Sequence, residues 1–266
     1  MNSDKENTIY KQRVKNVFNG IVARGWDTKG NLISRIKGKD NIVYDRIRQY
    51  GHDGMRLLDV GCATGRLLSF VDSQFHNCEL WGIDISEEMA ACARNISVSN
   101  HNSRIIVNDD FMEHDFGTQQ YDIVILKFVL HHMADEEKTL LKAKQLLKQG
   151  GALLLYTPGK EHFKETFTVS PKERDILGRK SCEEIRSLFA ECEMEICELL
   201  PCGFQMQIDS FDKFTEFLKR IGSYQKIVEY TDESWELGFL EEVKAKYADT
   251  EWHTGEYILA VHRGKK

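Results

Sequence analysis

A short turn rich in small residues is the stretch of this sequence best suited to bind a ligand. The turn, Gly61-Cys62-Ala63-Thr64-Gly65, follows the strand-like run Arg56–Val60 and precedes the helix-like stretch Arg66–Val71. Small residues let the backbone approach a ligand that a longer side chain would push away. In open α/β sheets, ligands bind in the crevice beyond the carboxyl ends of the strands. The order of strand, tight turn and helix start therefore predicts a nucleotide-type site at this turn.

The register of the small residues argues against a dinucleotide cofactor. The dinucleotide fingerprint G-x-G-x-x-G/A would place its third small residue at position 66, where this chain has Arg66. The small residues lie instead at Gly61, Ala63 and Gly65. A hydride-transfer function is therefore disfavoured.

Side chains that could move a proton follow the fourth and fifth strand-like segments. His131 and His132 are the first candidates for a general base, which a phenol, alcohol or carbon acid acceptor would require. The alternative is that this pair starts or caps the next helix and packs there. Two weaker candidates are Lys127, at the end of the fourth strand-like segment, and His162, on the loop after the fifth.

The candidate residues lie on a chain that alternates strand-like and helix-like segments from Met55 onward. Helical periodicity is found at Gly65–Gln74, Glu87–Asn100 and Glu136–Lys148, and Ser86 is a predicted N-cap. This alternation predicts an α/β fold with a parallel sheet covered by helices on both faces. The strand candidates are Arg56–Val60, Glu79–Ile83, Arg104–Asn108, Ile123–Leu126, Ala152–Thr157, Glu195–Leu200 and Tyr257–His262.

The glycine turn resembles the first motif of the class I S-adenosylmethionine-dependent methyltransferases. That motif is an acidic residue, one further residue, and then G-x-G-x-G. The run from Asp59 to Gly65 matches it, with Ala63 in place of the middle glycine. The family's later motifs are resembled, in the right order, by Trp81–Ser86, Asn108–Phe111, Tyr121–His132 and Leu146–Leu153. Over residues 55–157 the chain is identified as similar to this family.

The resemblance implies a Rossmann-like sheet of seven strands in the order 3-2-1-4-5-7-6, mostly parallel, with the last strand antiparallel. It implies S-adenosyl-L-methionine as the cofactor and S-adenosyl-L-homocysteine as its product. Asp84 would bind both ribose hydroxyls, and Asp110 would read the adenine amino group, with Asp109 as the alternative. Lys127 would contribute through its backbone. The expected cofactor-binding residues are Asp59, Gly61, Cys62, Ala63, Gly65, Asp84, Ile85, Asp109, Asp110, Phe111, Lys127 and Trp26, and no metal site is expected.

Four regions are expected along the chain. Residues 1–50 would form an N-terminal helical cap, 51–202 the cofactor-binding core, 203–253 a helical, aromatic-rich insertion on the substrate side, and 254–266 the final strand. The stretch from Phe18 to Asp27 resembles the lead-in of the ubiquinone/menaquinone and malonyl-carrier-protein methyltransferases, with Trp26 in place of a tyrosine. The insertion resembles that of the carboxyl-methylating trans-aconitate and malonyl-carrier-protein enzymes in length and place.

Composition excludes several classes of function. The net charge of −6 argues against a nucleic-acid binder held mainly by phosphate contacts. No apolar run approaches the roughly 20 residues needed to span a bilayer, and the polar N-terminus has no signal-peptide core. Seven cysteines without a C-x-x-C pair favour a reducing compartment. We therefore expect a cytoplasmic protein with no membrane or nucleic-acid partner. Its oligomeric state is not readable from the sequence.

The leading hypothesis is methyl transfer to a small-molecule acceptor, with O-methylation favoured over C- and N-methylation. In-line displacement needs chiefly close approach and alignment, so positioning would be the main catalytic effect. A nucleic-acid methyltransferase is the first alternative. Base-methylating enzymes of that class typically carry D/N-P-P-Y/F after the fourth strand, where this chain has Leu126-Lys127-Phe128-Val129. The second alternative is a non-catalytic homologue that binds the cofactor.

Overall fold

The fold is a single seven-stranded sheet with helices on both faces, as predicted. The computed structural model describes residues 11, 12, 14–16, 18, 19, 41–164, 178–208, 210–220, 241, 244, 245 and 252–264. In chain order its elements are α1 (Asn41–Tyr50), β1 (Arg56–Val60), α2 (Arg66–Gln74), β2 (Glu79–Asp84), α3 (Glu87–Arg94), β3 (Ser103–Asn108), β4 (Tyr121–Lys127), a 3₁₀ turn (Leu130–His132), α4 (Glu136–Gln145), β5 (Leu147–Pro158), α5 (Cys182–Glu191), β6 (Ile196–Gln207), α6 (Phe211–Arg220) and β7 (Trp252–Arg263).

The strand order is β3-β2-β1-β4-β5-β7-β6, which confirms the predicted topology. Strands β1 to β5 run parallel, whereas β7 pairs antiparallel with both β5 and β6. The central strand β1 pairs with β2 on one side and with β4 on the other. The chain order reverses between β1 and β4, so the glycine turn after β1 lies at the topological switch point, where α/β sheets bind ligands.

Successive side chains of a strand point to opposite faces of the sheet, and they form an apolar layer on each face. On one face Leu58 packs with Leu140 of α4 and Phe189 of α5. On the other face Leu57 packs with Ile47 of α1 and with residues of α2. Because both faces are covered, the parallel strands are buried on both sides and the ligand crevice opens at their carboxyl ends.

Two helices end earlier than the sequence pattern predicts. Helix α3 ends at Arg94 rather than at Asn100. Beyond it the buried Asp72 carboxylate accepts hydrogen bonds from the Ser99 backbone and hydroxyl, and these bonds compete with a helical conformation. Helix α4 ends at Gln145 rather than at Lys148, because the chain already joins the sheet as β5 at Leu147.

The last two strands are longer than expected. Strand β6 continues to Gln207 and β7 begins at Trp252, and the two residues pair with each other. Residues 203–207 are therefore strand and not part of a helical insertion. Within this pairing Gly255 lies against the ring of its partner Phe204, which leaves no room for a Cβ at position 255. Beyond β6, the described residues of α6 are helical, as predicted for the insertion.

The division into cap, core and insertion stays a prediction. In the part of the chain that the structure describes, no helix combines the length and apolar character that crossing a membrane requires.

Candidate functional site

A cavity of about 410 Å³ opens at the carboxyl ends of β1 to β5, within the size range of small-molecule sites. It brings together most of the residues singled out from the sequence. Gly65 does not line it, and Trp26 lies outside the described residues. The predicted residues in its wall are Asp59, Gly61, Cys62, Ala63, Asp84, Ile85, Asp109, Asp110, Phe111, Lys127, His131, His132 and His162.

The glycine turn needs its small residues for conformation and for space. Gly61, Ala63 and Gly65 all have positive φ angles, of 70°, 46° and 80°. A Cβ on Gly61 would lie 2.6 Å from Cγ2 of Val129, and one on Gly65 would lie 3.1 Å from the Ala93 Cβ. Gly65 therefore acts as a packing residue against α3, while the backbone of residues 61–64 forms the cavity wall.

The Asp84 carboxylate ties the end of β2 to this turn. One oxygen accepts a hydrogen bond from the Ala63 backbone N–H at 2.8 Å, and the other accepts one from the Ser86 N–H at 2.9 Å. Burial raises the pKa of Asp84 to about 6, although these two N–H bonds act to lower it. A carboxylate has about four lone-pair sites, so Asp84 can accept two further hydrogen bonds from a ligand in the cavity.

Asp59 is a second buried carboxylate beside the turn, with 3% of its surface exposed. Burial raises its pKa to about 7, the positive charge of Lys127 lowers it, and the negative charge of Asp84 raises it further. Both acidic groups lie in one cavity wall, so this part of the cavity favours a ligand with hydrogen-bond donors or positive charge.

Asp109 and Asp110 both lie in the wall after β3, and each is already engaged. Asp110 Oδ2 lies 2.9 Å from Nζ of Lys11, which also contacts Glu113 Oε1 at 2.6 Å. Asp109 Oδ2 lies 2.9 Å from Nδ1 of His114, and this hydrogen bond lowers the pKa of Asp109. The geometry therefore does not choose between the two aspartates, and the adenine-binding role remains a prediction for both.

The imidazoles of His131 and His132 lie in the 3₁₀ turn after β4, with ring centroids 4.0 Å apart. The rings of His132 and of Phe18 in the N-terminal segment pack in a T-shaped arrangement, with their centroids 5.0 Å apart. His162 lies after β5 and is buried, and its Nδ1 accepts a hydrogen bond from the Glu256 N–H at 3.0 Å. All three rings belong to residues that line the cavity.

Sequence reasoning missed many residues of the wall, among them Thr64, Arg179 and Tyr257. The Thr64 hydroxyl is buried and has no hydrogen-bond partner among the described residues. Its position inside the glycine motif was the available signal. Arg179 and Tyr257 lie outside every motif, and packing brings them to the cavity. No group of three or more His, Cys, Asp or Glu side chains within the described ranges is arranged to hold a metal ion.

Comparison with known families gives one match, the family described as "Methyltransferase domain", over residues 58–153. This range contains the glycine turn, Asp84 at the end of β2, Asp109 and Asp110 after β3, and the pair His131 and His132.

Curated relatives match the same half of the chain. The demethylmenaquinone methyltransferase of Staphylococcus saprophyticus is 28% identical over 56% of this chain and 64% of its own length. A mouse protein named "probable tRNA methyltransferase 9B" is 28% identical over 57% of this chain and 34% of its own length. The ubiquinone biosynthesis O-methyltransferase of Glaesserella parasuis is 27% identical over 57% of this chain and 65% of its own length. The chain thus spans less than two thirds of each relative.

Solved structures share the fold at low sequence identity. The phosphoethanolamine N-methyltransferase 2 of Haemonchus contortus, in complex with phosphomonomethylethanolamine and S-adenosylhomocysteine, superposes with a TM-score of 0.57 and 19% identity, covering 95% of this chain and 60% of that one. The cyclase SpnF superposes with a TM-score of 0.57 and 18% identity, covering 99% of this chain and 97% of that one. Proteins described as a transferase and as a cyclase therefore share this architecture.

Proposed function

We propose that this chain, which belongs to the class I S-adenosylmethionine-dependent methyltransferases, transfers a methyl group to a small-molecule acceptor, with an acceptor oxygen as the favoured target. The observation that carries the proposal is a single cavity. It joins the glycine turn and Asp84 at one end to His131 and His132 at the other. Cofactor-type and base-type residues therefore face one space.

The residues at the first end fit S-adenosylmethionine. The positive φ at Gly61 is a conformation that glycine adopts without strain, and residues 61–64 of this turn lie in the cavity wall. Asp84 has acceptor capacity left for two ribose hydroxyls, and the buried Thr64 hydroxyl, which has no partner among the described residues, can bond a polar group of the cofactor. Asp109 or Asp110 would bind the adenine amino group.

When bound, S-adenosylmethionine supplies a methyl group that is already activated on a sulfonium. The chain must then align the acceptor and exclude water, and positioning of this kind can supply most of the catalytic effect. The Phe18 ring packs against His132, and both residues line the cavity, so the N-terminal segment contributes to the cavity wall. Under this proposal, His131 or His132 would accept the proton that a hydroxyl acceptor loses.

Calorimetric titration with S-adenosylmethionine and S-adenosylhomocysteine tests the cofactor assignment. We expect both to bind wild-type protein, and we expect Asp84→Asn to bind them about a hundred-fold more weakly. Asp212→Asn, on the exposed surface of α6, is the matched control and should bind like wild type. Binding of neither compound to the wild-type protein would overturn the proposed function.

Transfer of labelled methyl groups to a panel of phenols, alcohols and carboxylic acids tests the base assignment. We expect His131→Gln or His132→Gln to lower kcat at least ten-fold with phenols, without weakening S-adenosylhomocysteine binding. His76→Gln is the control, because that imidazole is exposed and lies outside the cavity wall. Full turnover by both variants would assign the pair a structural role.

The same assay separates the alternatives. The name of the mouse relative suggests a transfer RNA as the first nucleic-acid substrate to include. Transfer to RNA without transfer to any small molecule would replace the proposal by a nucleic-acid methyltransferase. Tight cofactor binding without transfer to either class would favour a non-catalytic homologue.

A further inference from the structure

The loop after β3, residues 109–116, carries both aspartates that could bind the adenine amino group, and none of its residues belongs to a helix or strand. Its first residue is anchored to β2, since the Asp109 N–H donates to the Asp84 carbonyl oxygen at 3.2 Å. Beyond that point a local turn shapes the loop, in which Asp110 Oδ1 accepts the Met112 N–H at 2.8 Å. Local bonds of this kind set the shape of a loop but not its place, so its position depends on contacts with other elements.

The Lys142 ammonium on α4 supplies such a contact from outside the loop. Its Nζ donates to the carbonyl oxygens of Met112 at 2.9 Å and of His114 at 2.8 Å. The same Nζ lies 5.4 Å from the ring centroid of Phe111 and 5.5 Å from that of Phe116, within the range of a cation–π interaction. One ammonium therefore joins both halves of the loop to α4.

The charge of Lys142 also suits the composition of this loop, in which four of the eight residues are acidic: Asp109, Asp110, Glu113 and Asp115. Burial lowers the pKa of Lys142, and all four carboxylates oppose that effect. The hydrogen bond with His114 is the main cause of the lowered pKa of Asp109, and the charge of Lys142 acts in the same direction. Because an ionised carboxylate only accepts hydrogen bonds, Lys142 favours the form that binds an amino group.

We propose that Lys142 is a positioning residue that sets the preference of the cofactor site for adenine. The inference rests on the proposed function and adds a specificity residue to its cofactor site. Lys142 does not line the cavity, so it acts through Asp109 or Asp110 and not by touching the cofactor. A carboxylate accepts a hydrogen bond from the 6-amino group of adenine, whereas the 6-carbonyl oxygen of hypoxanthine has no hydrogen to donate. Displacing the carboxylate should therefore reduce discrimination between the two bases.

Calorimetric titration with two compounds tests the inference: S-adenosylhomocysteine, and S-inosylhomocysteine, in which a carbonyl oxygen replaces the 6-amino group. We expect wild-type protein to bind the adenine compound about ten-fold more tightly or better, since a site built to accept an N–H rejects an analogue that lacks it. Lys142→Met keeps a long side chain without donors or charge. It should reduce this preference to about two-fold or less, by weakening S-adenosylhomocysteine binding and leaving S-inosylhomocysteine binding almost unchanged.

Lys144→Met is the matched control on the same helix. Lys144 Nζ also donates to two carbonyl oxygens, those of Cys192 at 2.9 Å and Glu193 at 3.0 Å, which follow α5. The control loses hydrogen bonds of the same kind and number, and Lys144 does not line the cavity. It should lower the melting temperature as Lys142→Met does while keeping the full preference for adenine. A merely structural role for Lys142 predicts that both variants keep that preference.

Lys142→Gln provides a second variant, because its amide can still donate to one of the two carbonyl oxygens and so support folding if the methionine variant fails to fold. It should lose part of the preference, about three-fold or more. Full preference in either Lys142 variant would overturn the inference, as would an equal loss in Lys144→Met. Equal binding of both compounds by wild-type protein would overturn it too, since no carboxylate would then discriminate between the bases. Failure of the wild-type protein to bind S-adenosylhomocysteine refutes the proposed function itself.

Discussion

Lowering the pH from 7 to 5 should weaken binding of S-adenosylhomocysteine about ten-fold, because it protonates Asp84. The pKa of Asp84 in the ligand-free protein is about 6. About nine tenths of the groups are therefore ionised at pH 7 and about one tenth at pH 5. Ribose hydroxyls donate to the ionised form, so binding favours it. The ratio of the two fractions, about ten, corresponds to about 1.4 kcal/mol.

Stability should change in the opposite direction over the same range. Burial raises the folded-state pKa of Asp84 above its unfolded value, so its contribution to stability is fully present below about pH 4 and is lost as the pH rises through 6. Acid should therefore weaken ligand binding without a loss of stability from this group. Thermal melts recorded at each pH separate the two effects.

Calorimetry at half-unit steps between pH 5 and 7 is the assay, since the α-amino group of the ligand stays protonated there. Asp84→Asn removes the titrating group. It should bind about a hundred-fold more weakly at pH 7, as expected for two lost charge-assisted hydrogen bonds of about 1.5 kcal/mol each. Any dependence of affinity on pH that remains in this variant reports the titration of Asp59, whose pKa is about 7. Two results would refute the ribose role of Asp84. One is a wild-type affinity for S-adenosylhomocysteine that does not change with pH, and the other is the same dependence of affinity on pH in Asp84→Asn as in wild type.

Three further substitutions, two of them paired with a comparison variant, probe the surroundings of the site. Asp59→Asn should raise the melting temperature of the ligand-free protein above pH 7 and change it little below pH 4, because burial raises the pKa of this carboxyl to about 7. Gly61→Ala should cost about 3 kcal/mol of unfolding free energy in denaturant titrations, since its Cβ would clash with a neighbouring side chain 2.6 Å away. Gly54→Ala has a similar φ of 77° and open space, so it should cost only about 1 kcal/mol. Ser86→Ala should cost about 2 kcal/mol, because the hydroxyl caps α3 and also bonds the N-terminal segment, whereas Asp135→Ala removes a cap and an exposed ion pair with Lys138 and should cost about half as much. Equal losses within either pair would contradict the stated cause.

The sheet and the cofactor end of the cavity were predictable because their signals are local. Each strand of the core carries its own apolar run, and the glycine at position 61 indicates by its residue type that the chain turns there. Asp84 is the last residue of its strand, so chain order alone brings it to the crevice. These features depend on neighbours within a few residues, which a pattern can capture.

The part of the cavity near the end of β5 was harder to predict because it depends on contacts between distant segments. Arg179 reaches the cavity through the loop after β5, where Gly159 bridges to Lys180. The extension of β6 to Gln207 depends on pairing with a strand more than 40 residues later. Neither feature has a local motif, since each is decided by tertiary packing.

The paired ends of β6 and β7 bear on how such a protein could change its substrate. Strand β7 extends five residues beyond its last partner in β5, from Tyr257 back to Trp252, which is about 17 Å at the rise of an antiparallel strand. Gln207 and Trp252 face each other at the far end of this two-stranded ribbon. The segment between Gln207 and Trp252 therefore leaves the sheet and returns to it at adjacent points. A foreign segment with the same end-to-end spacing could be exchanged there without altering the register of the sheet. Under the proposed function, such an exchange would change the choice of acceptor and leave the donor site constant.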